Sequence, residues 1–202
     1  MGGITSSFGD GYILLDNYDS SAAPPITYGA GVPLNGVSGA DGQVGSWLIS
    51  GWTAGIYFVV GTPTKTDPAG SGIPNLNLTL GTGPGGTTAI CSSAYNVPGF
   101  FINSLPFDTG GIAGDTITAE IVAYSGSSYA TSLYRGHSNP FTMTTYSSSS
   151  VGVENIVTGY PNGLVGDHMQ SFSVTPTPEP GTLALVVLSS IALFSTLRRK
   201  PS

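Results

Sequence analysis

Residues 115–124, DTITAEIVAY, alternate between two kinds of side chain. One alternate set is entirely aliphatic and consists of Ile117, Ala119, Ile121 and Ala123. The other set consists of Thr116, Thr118, Glu120, Val122 and Tyr124. Successive side chains of a β-strand point to opposite faces of the sheet. The segment is therefore predicted to be a strand whose aliphatic face covers a core.

Short runs of β-branched and aromatic residues recur on both sides of this segment, separated by Gly- and Pro-rich turns. Such runs are typical of strands. No segment before residue 177 shows a helical period over ten or more residues. The pattern predicts a mainly β domain over residues 12–175, folded as an antiparallel sandwich. The other predicted strands are 12–16, 46–50, 54–60, 76–80, 87–91, 100–102, 141–145 and 170–174.

The Gly-Asp pair that leads into residues 116–124, and their Ala-Tyr end, resemble the penultimate strand of immunoglobulin-like and fibronectin-like sandwiches. This resemblance implies an immunoglobulin-like or jelly-roll-type architecture for the domain.

The charge of the chain is low and unevenly distributed. Only 8% of the 202 residues are charged, and the net charge is −6. Residues 1–177 hold ten acids and two bases, which gives −8, and the remainder holds one acid and three bases, which gives +2. An acidic domain argues against nucleic acid and anionic membrane surfaces as partners. The single Cys excludes an intramolecular disulfide.

Residues 177–202, TPEPGTLALVVLSSIALFSTLRRKPS, contain a Pro-Glu-Pro triplet, an uncharged run at 181–197 and a basic cluster, in that order. As a helix, residues 181–197 would span about 26 Å, near the lower limit for a hydrocarbon core of about 30 Å. The basic cluster should stay on the cytoplasmic side, which places the preceding domain outside. We predict a single transmembrane helix over 181–197. A buried core helix is the alternative.

This three-part pattern resembles the PEP-CTERM sorting domain of bacterial surface and secreted proteins. The resemblance implies a sorting domain over 176–202 and recognition by exosortase, a membrane cysteine protease-transpeptidase that processes the tail near the triplet. It also implies a mature protein at the cell surface and a link to exopolysaccharide. The segments PITYG, GDTITAEIVAY and LVGDHMQSFSV resemble PEP-CTERM proteins of Verrucomicrobia-type bacteria, which bring no known activity. The matching sorting residues are Pro178, Glu179, Pro180 and Gly181, with Arg198, Arg199 and Lys200 as the basic cluster.

Residues 1–11 are predicted to form a flexible lead-in. They contain no basic residue, and the apolar run 12–15 is shorter than the h-region of about 7–15 residues found in signal peptides. Because an exported protein needs an entry signal, we expect Met1 to lie inside or just after the true signal region.

Motifs that carry catalysis in other proteins are incomplete here. Residues 81–86, GTGPGG, satisfy GxGxxG. A dinucleotide site also needs a helix, and the proline and the strand-like sequence that follows are incompatible with one. A hairpin turn is predicted instead. His137 and His168 are the only histidines, and on a strand their neighbours Ser138 and Asp167 would point away from them. We expect no enzymatic activity and no cofactor.

Two groups of residues are candidates for binding. Asp16, Asn17 and Asp19 offer the oxygen ligands that calcium prefers, without EF-hand spacing. Asx-capped turns would explain the same residues.

Trp47 and Trp52 flank Gly51, with Tyr57 and Tyr95 nearby in the sequence. Exposed aromatic rings could stack on sugars, although Trp and Tyr also form cores and rims. Burial of both tryptophans would count against sugar binding.

Together these patterns predict an exported surface or extracellular-matrix protein with a structural or adhesive role linked to exopolysaccharide. A carbohydrate-binding β-sandwich module is the alternative, and a surface hydrolase is the third possibility. The predicted partners are the exosortase-type enzyme, the lipid bilayer and extracellular polysaccharide.

Overall fold

The computed structural model describes residues 10–18, 24–61, 78–91, 97–147 and 168–177. These residues confirm a mainly β fold, and they contain no helix. The strands are β1 (Asp10–Ile13), β2 (Ile26–Tyr28), β3 (Trp52–Val60), β4 (Thr79–Leu80), β5 (Thr87–Ala89), β6 (Phe107–Ile112), β7 (Thr116–Ser125), β8 (Tyr134–His137), β9 (Phe141–Thr144) and β10 (Phe172–Pro176).

The large sheet is built around β7 and β3. Its order is β2-β10-β8-β7-β3-β4, with β5 also paired to β3 and β9 also paired to β7. β3 and β7 pair antiparallel along their whole common length, from Trp52 opposite Ser125 to Val60 opposite Ile117. The aliphatic set of β7 lies in the main core, as the alternation predicts. The opposite face of β7 is buried as well, where Val122 and Tyr124 contact Tyr129.

The sheet is mixed rather than wholly antiparallel. β10 pairs with β2 in parallel, with Phe172 opposite Ile26 and Val174 opposite Tyr28. A short hairpin would force antiparallel pairing, but more than 140 residues separate these two strands in the chain. Their relative direction is therefore set by the tertiary fold, which local patterns do not reveal.

A second, smaller layer consists of β1 and β6, which pair antiparallel. Ile13, Leu15 and Phe107 from this layer share one hydrophobic cluster with Ile56 and Ile117 of the large sheet. Two β layers that enclose one core form a sandwich-like arrangement.

Residues 81–86 do not form the predicted hairpin turn. β4 and β5 both pair with β3, so the glycine segment is an excursion in one interrupted edge strand. Both of its ends bond to Ile56, whose carbonyl accepts the Gly81 N–H at 2.8 Å and whose N–H donates to the Gly86 carbonyl at 3.2 Å. A Cβ on Gly85 would lie 2.6 Å from the Leu105 carbonyl oxygen, so this close backbone contact requires glycine.

Several element boundaries differ from expectation. β1 begins at Asp10, inside the predicted lead-in, and β10 extends to Pro176. Residues 46–50 make only one isolated bridge, between Trp47 and Thr27. No strand was predicted at 26–28, 107–112 or 134–137, which form β2, β6 and β8.

The predicted sorting domain from residue 178 onward lies outside the described residues, as do residues 1–9. Within the described ranges, no helix is long and apolar enough to cross a membrane.

Candidate binding surface

The two tryptophans occupy different environments although five positions separate them. Trp52 begins β3 and is 1% exposed. Its indole N–H donates to the Leu34 carbonyl at 3.3 Å, and its ring meets the Tyr28 ring edge-on at 6.0 Å. Trp47 lies on a loop beside β2 and is 48% exposed. Trp52 is therefore a core residue, and Trp47 is available for contact with another molecule.

Trp47 belongs to a group of three aromatic rings, together with Phe100 and Tyr18. The Trp47 and Phe100 rings meet edge-on at 5.5 Å, and the Tyr18 and Phe100 rings do so at 5.6 Å. Phe100 is buried, whereas the other two side chains are exposed. Edge-to-face packing of this kind stabilises the rings in fixed orientations. The buried Phe100 thus supports two exposed aromatic groups.

A shallow depression of about 420 Å³ adjoins Trp47, and its lining is mostly apolar. The Tyr28 hydroxyl lies in this lining, donating to the Leu34 carbonyl at 2.7 Å and accepting from the Ile49 N–H at 3.3 Å. The remaining lining residues are Ser46, Trp47 and Pro98. Such a surface can contact the flat apolar face of a ligand, but it holds no acid or base for catalysis. We call Tyr18, Trp47, Ile49 and Phe100 the Trp47 surface.

Of the other aromatic residues considered for sugar contact, Tyr57 lies on the opposite side of the sheet. Its ring contacts that of Tyr129 at 5.7 Å. Burial, and to a lesser extent proximity to Tyr57, raises the pKa of the neighbouring Tyr124 phenol. Tyr95 lies outside the described residues.

The calcium candidates have other contacts in the structure. Asn17 is fully buried, and its amide nitrogen donates to the carbonyls of Pro24 at 2.9 Å and Gly99 at 3.3 Å. Its side-chain oxygen accepts the Phe101 N–H at 2.7 Å. The Asp16 carboxylate accepts the Tyr18 N–H at 2.7 Å, which is the Asx-turn geometry.

Asp19 lies outside the described residues. Within the described ranges, no three His, Cys, Asp or Glu side chains are grouped as metal ligands would be. Cys91 is buried.

The histidine in β8 is part of a buried pair that sequence patterns did not reveal. His137 Nδ1 lies 3.6 Å from Glu120 Oε2, and neither side chain is more than 1% exposed. The same nitrogen lies 2.9 Å from the Ser138 carbonyl oxygen, so it carries the proton, because a carbonyl only accepts.

The Ser138 hydroxyl accepts the Ile121 N–H at 3.0 Å and donates to the Asn139 carbonyl at 2.9 Å. Ser138 lies between the segments that pair with β7 as β8 and as β9, so its hydroxyl takes the place of a backbone acceptor there. The arrangement is structural, since no substrate can reach the pair. The one sequence signal for the buried pair was Glu120, an acidic residue in the middle of an apolar strand. His168 is part-buried, and Asp167 is outside the described residues.

Arg135 is the one Lys or Arg side chain among the described residues, and it is part-buried. Its guanidinium donates to the carbonyls of Tyr129 and Ala130, both at 2.7 Å, and lies 5.1 Å from the Tyr129 ring centre. The described surface therefore presents carboxylates without a basic patch.

Comparison of the chain with protein-family models, with curated proteins and with solved structures finds no match. The resemblance to the PEP-CTERM sorting domain thus rests on the sequence of residues 178–200 alone.

Proposed function

We propose that this chain is an exported bacterial surface or matrix protein whose β domain is delivered by a C-terminal PEP-CTERM sorting signal. The observation that carries the proposal is the order of the Pro-Glu-Pro triplet, the uncharged run 181–197 and the basic cluster. A helix of this length and flanking charge fits a membrane span with the domain outside. The proposed role is structural or adhesive, without catalysis, in association with exopolysaccharide.

The end of the folded domain supports this division of the chain. β10 ends at Pro176, and the Thr177 N–H donates to the Leu133 carbonyl at 2.7 Å. The Pro-Glu-Pro triplet follows in the sequence, so a processing enzyme would find its motif directly after the last contact that the structure describes. We further propose that the two-layer domain is an immunoglobulin-like or jelly-roll-type sandwich. Its parallel β2–β10 pair departs from the antiparallel order of such a sandwich.

The proposed partners follow from this assignment. They are an exosortase-type processing enzyme, the lipid bilayer through residues 181–197, and extracellular polysaccharide. Nucleic acid is not among them, because the domain is acidic and the Arg135 guanidinium already donates to two backbone carbonyls.

The test is intact-mass analysis and fractionation of the native protein from its own bacterium. Loss of the residues after about position 177, with the protein in the envelope or matrix fraction, is the expected result. A variant with Pro178, Glu179 and Pro180 all replaced by Ala should keep its tail and accumulate in the membrane. An intact wild-type tail in the inner membrane would contradict processing but not anchoring. Full-length protein in the soluble fraction would contradict both.

A second candidate function is carbohydrate binding by the Trp47 surface. The observation in its favour is that Trp47 is half exposed next to an apolar depression, with Tyr18 exposed on the other side of Phe100. Aromatic faces of this kind suit the apolar face of a sugar ring.

The probe is extracellular polysaccharide purified from the organism's own matrix, titrated against the full chain in detergent micelles. Replacing Trp47 by Ala should weaken binding at least about fivefold, the loss typical of a Trp at an interface centre. Val60→Ala, an exposed apolar residue at the far end of β3, is the matched control and should bind normally. Equal binding by all three proteins would remove this candidate function.

A further inference from the structure

Thr177, the last described residue of the chain, lies beside the loop that joins β7 to β8. The Thr177 N–H and hydroxyl both donate to the Leu133 carbonyl, at 2.7 and 3.0 Å. The hydroxyl also lies 3.2 Å from the Ser132 carbonyl oxygen. These contacts fix the position of Thr177, the last residue that the structure describes before the predicted tail.

The strand registers show which other loops share this end of the sandwich. Trp52 at the start of β3 is opposite Ser125 at the end of β7, and Pro176 is opposite Tyr134. The loops 29–51 and 126–133 therefore lie at the same end as Thr177. We call it the exit end.

The exposed aliphatic side chains of these two loops are Leu34, Val37, Val44, Ile49 and Leu133. Val37 is 68% exposed and Leu133 is 56% exposed, and both line one cleft of about 240 Å³. Leu34 is also exposed and belongs to the same turn as Val37, in which the Gly36 N–H donates to the Pro33 carbonyl. We call Leu34, Val37 and Leu133 the exit surface. Adjacent exposed aliphatic groups of this kind favour contact with a partner.

Charged groups are distributed unequally between the two ends. The loops 29–51 and 126–133 contain one charged residue, Asp41. The opposite end has three carboxylates, since Asp10 pairs with Ile112, Asp108 pairs with Tyr12, and Asp115 precedes β7. Among the described residues, the exit end therefore presents fewer charges to be desolvated on approach to the polar surface of a bilayer than the opposite end does.

The connection between the exit end and the predicted membrane span is very short. From Thr177 to Gly181 there are four residue steps, which reach at most about 14 Å when fully extended. The headgroup region of one leaflet is about 5–7 Å thick. The domain can therefore stand no more than about 9 Å above the headgroups, and the two prolines in the connection make it stiff.

We infer that the exit surface rests against the headgroup region of the same bilayer that holds the tail. This inference depends on the proposed membrane anchor. The short connection brings Leu133 to the lipid surface, and Val37 and Leu34 extend the apolar contact. The carboxylates of the opposite end face away from the membrane.

The test uses the full chain reconstituted into phosphatidylethanolamine/phosphatidylglycerol vesicles. Two variants each carry one environment-sensitive fluorophore, attached at Ser38→Cys next to Val37 or at Thr116→Cys at the opposite end. In both variants Cys91→Ala removes the native thiol. Quenching is measured with lipids spin-labelled near the headgroup. Label at position 38 should be quenched severalfold more than label at position 116. Val37→Asn with Leu133→Asn should remove most of that difference, whereas Val60→Asn with Ile112→Asn at the far end should leave it unchanged. Thermal melting checks that each variant is folded.

The possible failures are distinguishable. Vesicle flotation reports the anchor, so a chain that does not float would overturn both the anchor and this inference. A chain that floats, with equal quenching at positions 38 and 116, would overturn the docking inference and leave the anchor standing. Protection of position 38 from water without lipid quenching would indicate a second copy of the chain on the exit surface, and would also overturn it.

Discussion

Replacing Asn17 by Ala should destabilise the domain strongly although the change is small. Asn17 is fully buried, and its side chain makes three hydrogen bonds to backbone groups of Pro24, Gly99 and Phe101. A net contribution of about 1 kcal/mol for each bond gives a loss of about 3 kcal/mol. Because the variant leaves buried backbone groups without their partner, the loss should be no smaller than this sum. For a chain of this length, the midpoint of thermal unfolding should fall by about 6–12 °C.

Urea denaturation followed by tryptophan fluorescence, with the chain in non-ionic detergent, measures this free energy. Asp16→Ala is the matched control, because Asp16 is only part-buried and its bond from the Tyr18 N–H is local and exposed. It should cost less than about 1 kcal/mol, since the Asx-turn bond is partly exposed to water.

The same experiment examines the calcium prediction. If Asn17 were a ligand, calcium would raise the wild-type midpoint and Asn17→Ala would abolish that shift. If Asn17 instead has a structural role, Asn17→Ala should cause a large loss in the free energy of unfolding, and calcium should not change that loss. A loss below about 1 kcal/mol would refute it, since three buried hydrogen bonds cannot be so weak together.

Three further outcomes follow from the described contacts. A double-mutant cycle of Glu120→Gln and His137→Gln should give a coupling energy of about 1–3 kcal/mol, because the two buried side chains share one network. A coupling energy below about 0.3 kcal/mol would contradict a shared network. Trp52→Phe should lower the free energy of unfolding by about 1–3 kcal/mol, because it leaves a cavity and removes a hydrogen bond from the indole; an unchanged urea midpoint would argue against its core position. The pKa of Tyr12 is raised, mainly by a hydrogen bond to Asp10. This raised pKa stabilises the fold below pH about 10, and the stabilisation is lost as pH rises through the folded-state pKa. Asp10→Asn should therefore lower the Tyr12 pKa in a carbon-13 tyrosine NMR titration, and an unmoved titration would contradict the assignment.

The strands that could be predicted are those whose signal is local. β7 alternates over ten residues, and its aliphatic side chains lie in the main core as the period requires. β3 and β9 are likewise rich in β-branched and aromatic residues. In contrast, β8 has the sequence YRGH, which has no such signal, and it is a strand because β7 and β10 pair with it on either side.

The candidate binding residues were less predictable, because burial is decided by partners far away in the chain. Trp47 and Trp52 stand in similar local sequence, but the turn at Gly51, with φ of 99°, separates a loop residue from a core residue. Asn17 has the oxygen chemistry of a calcium ligand, yet its bonds to Gly99 and Phe101 cross 82 and 84 positions. Residue type indicates which chemistry is available, and only the fold shows which partner takes it.

The Trp47 surface adjoins the exit surface, because Leu34, which is part of the exit surface, also lines the depression beside Trp47. A domain held against the bilayer by its tail would therefore direct its aromatic groups toward lipid, where Trp is well suited to the interface. Release of the tail would turn the same end toward the surrounding matrix. On these proposals, processing would change what the Trp47 surface can contact without changing the fold.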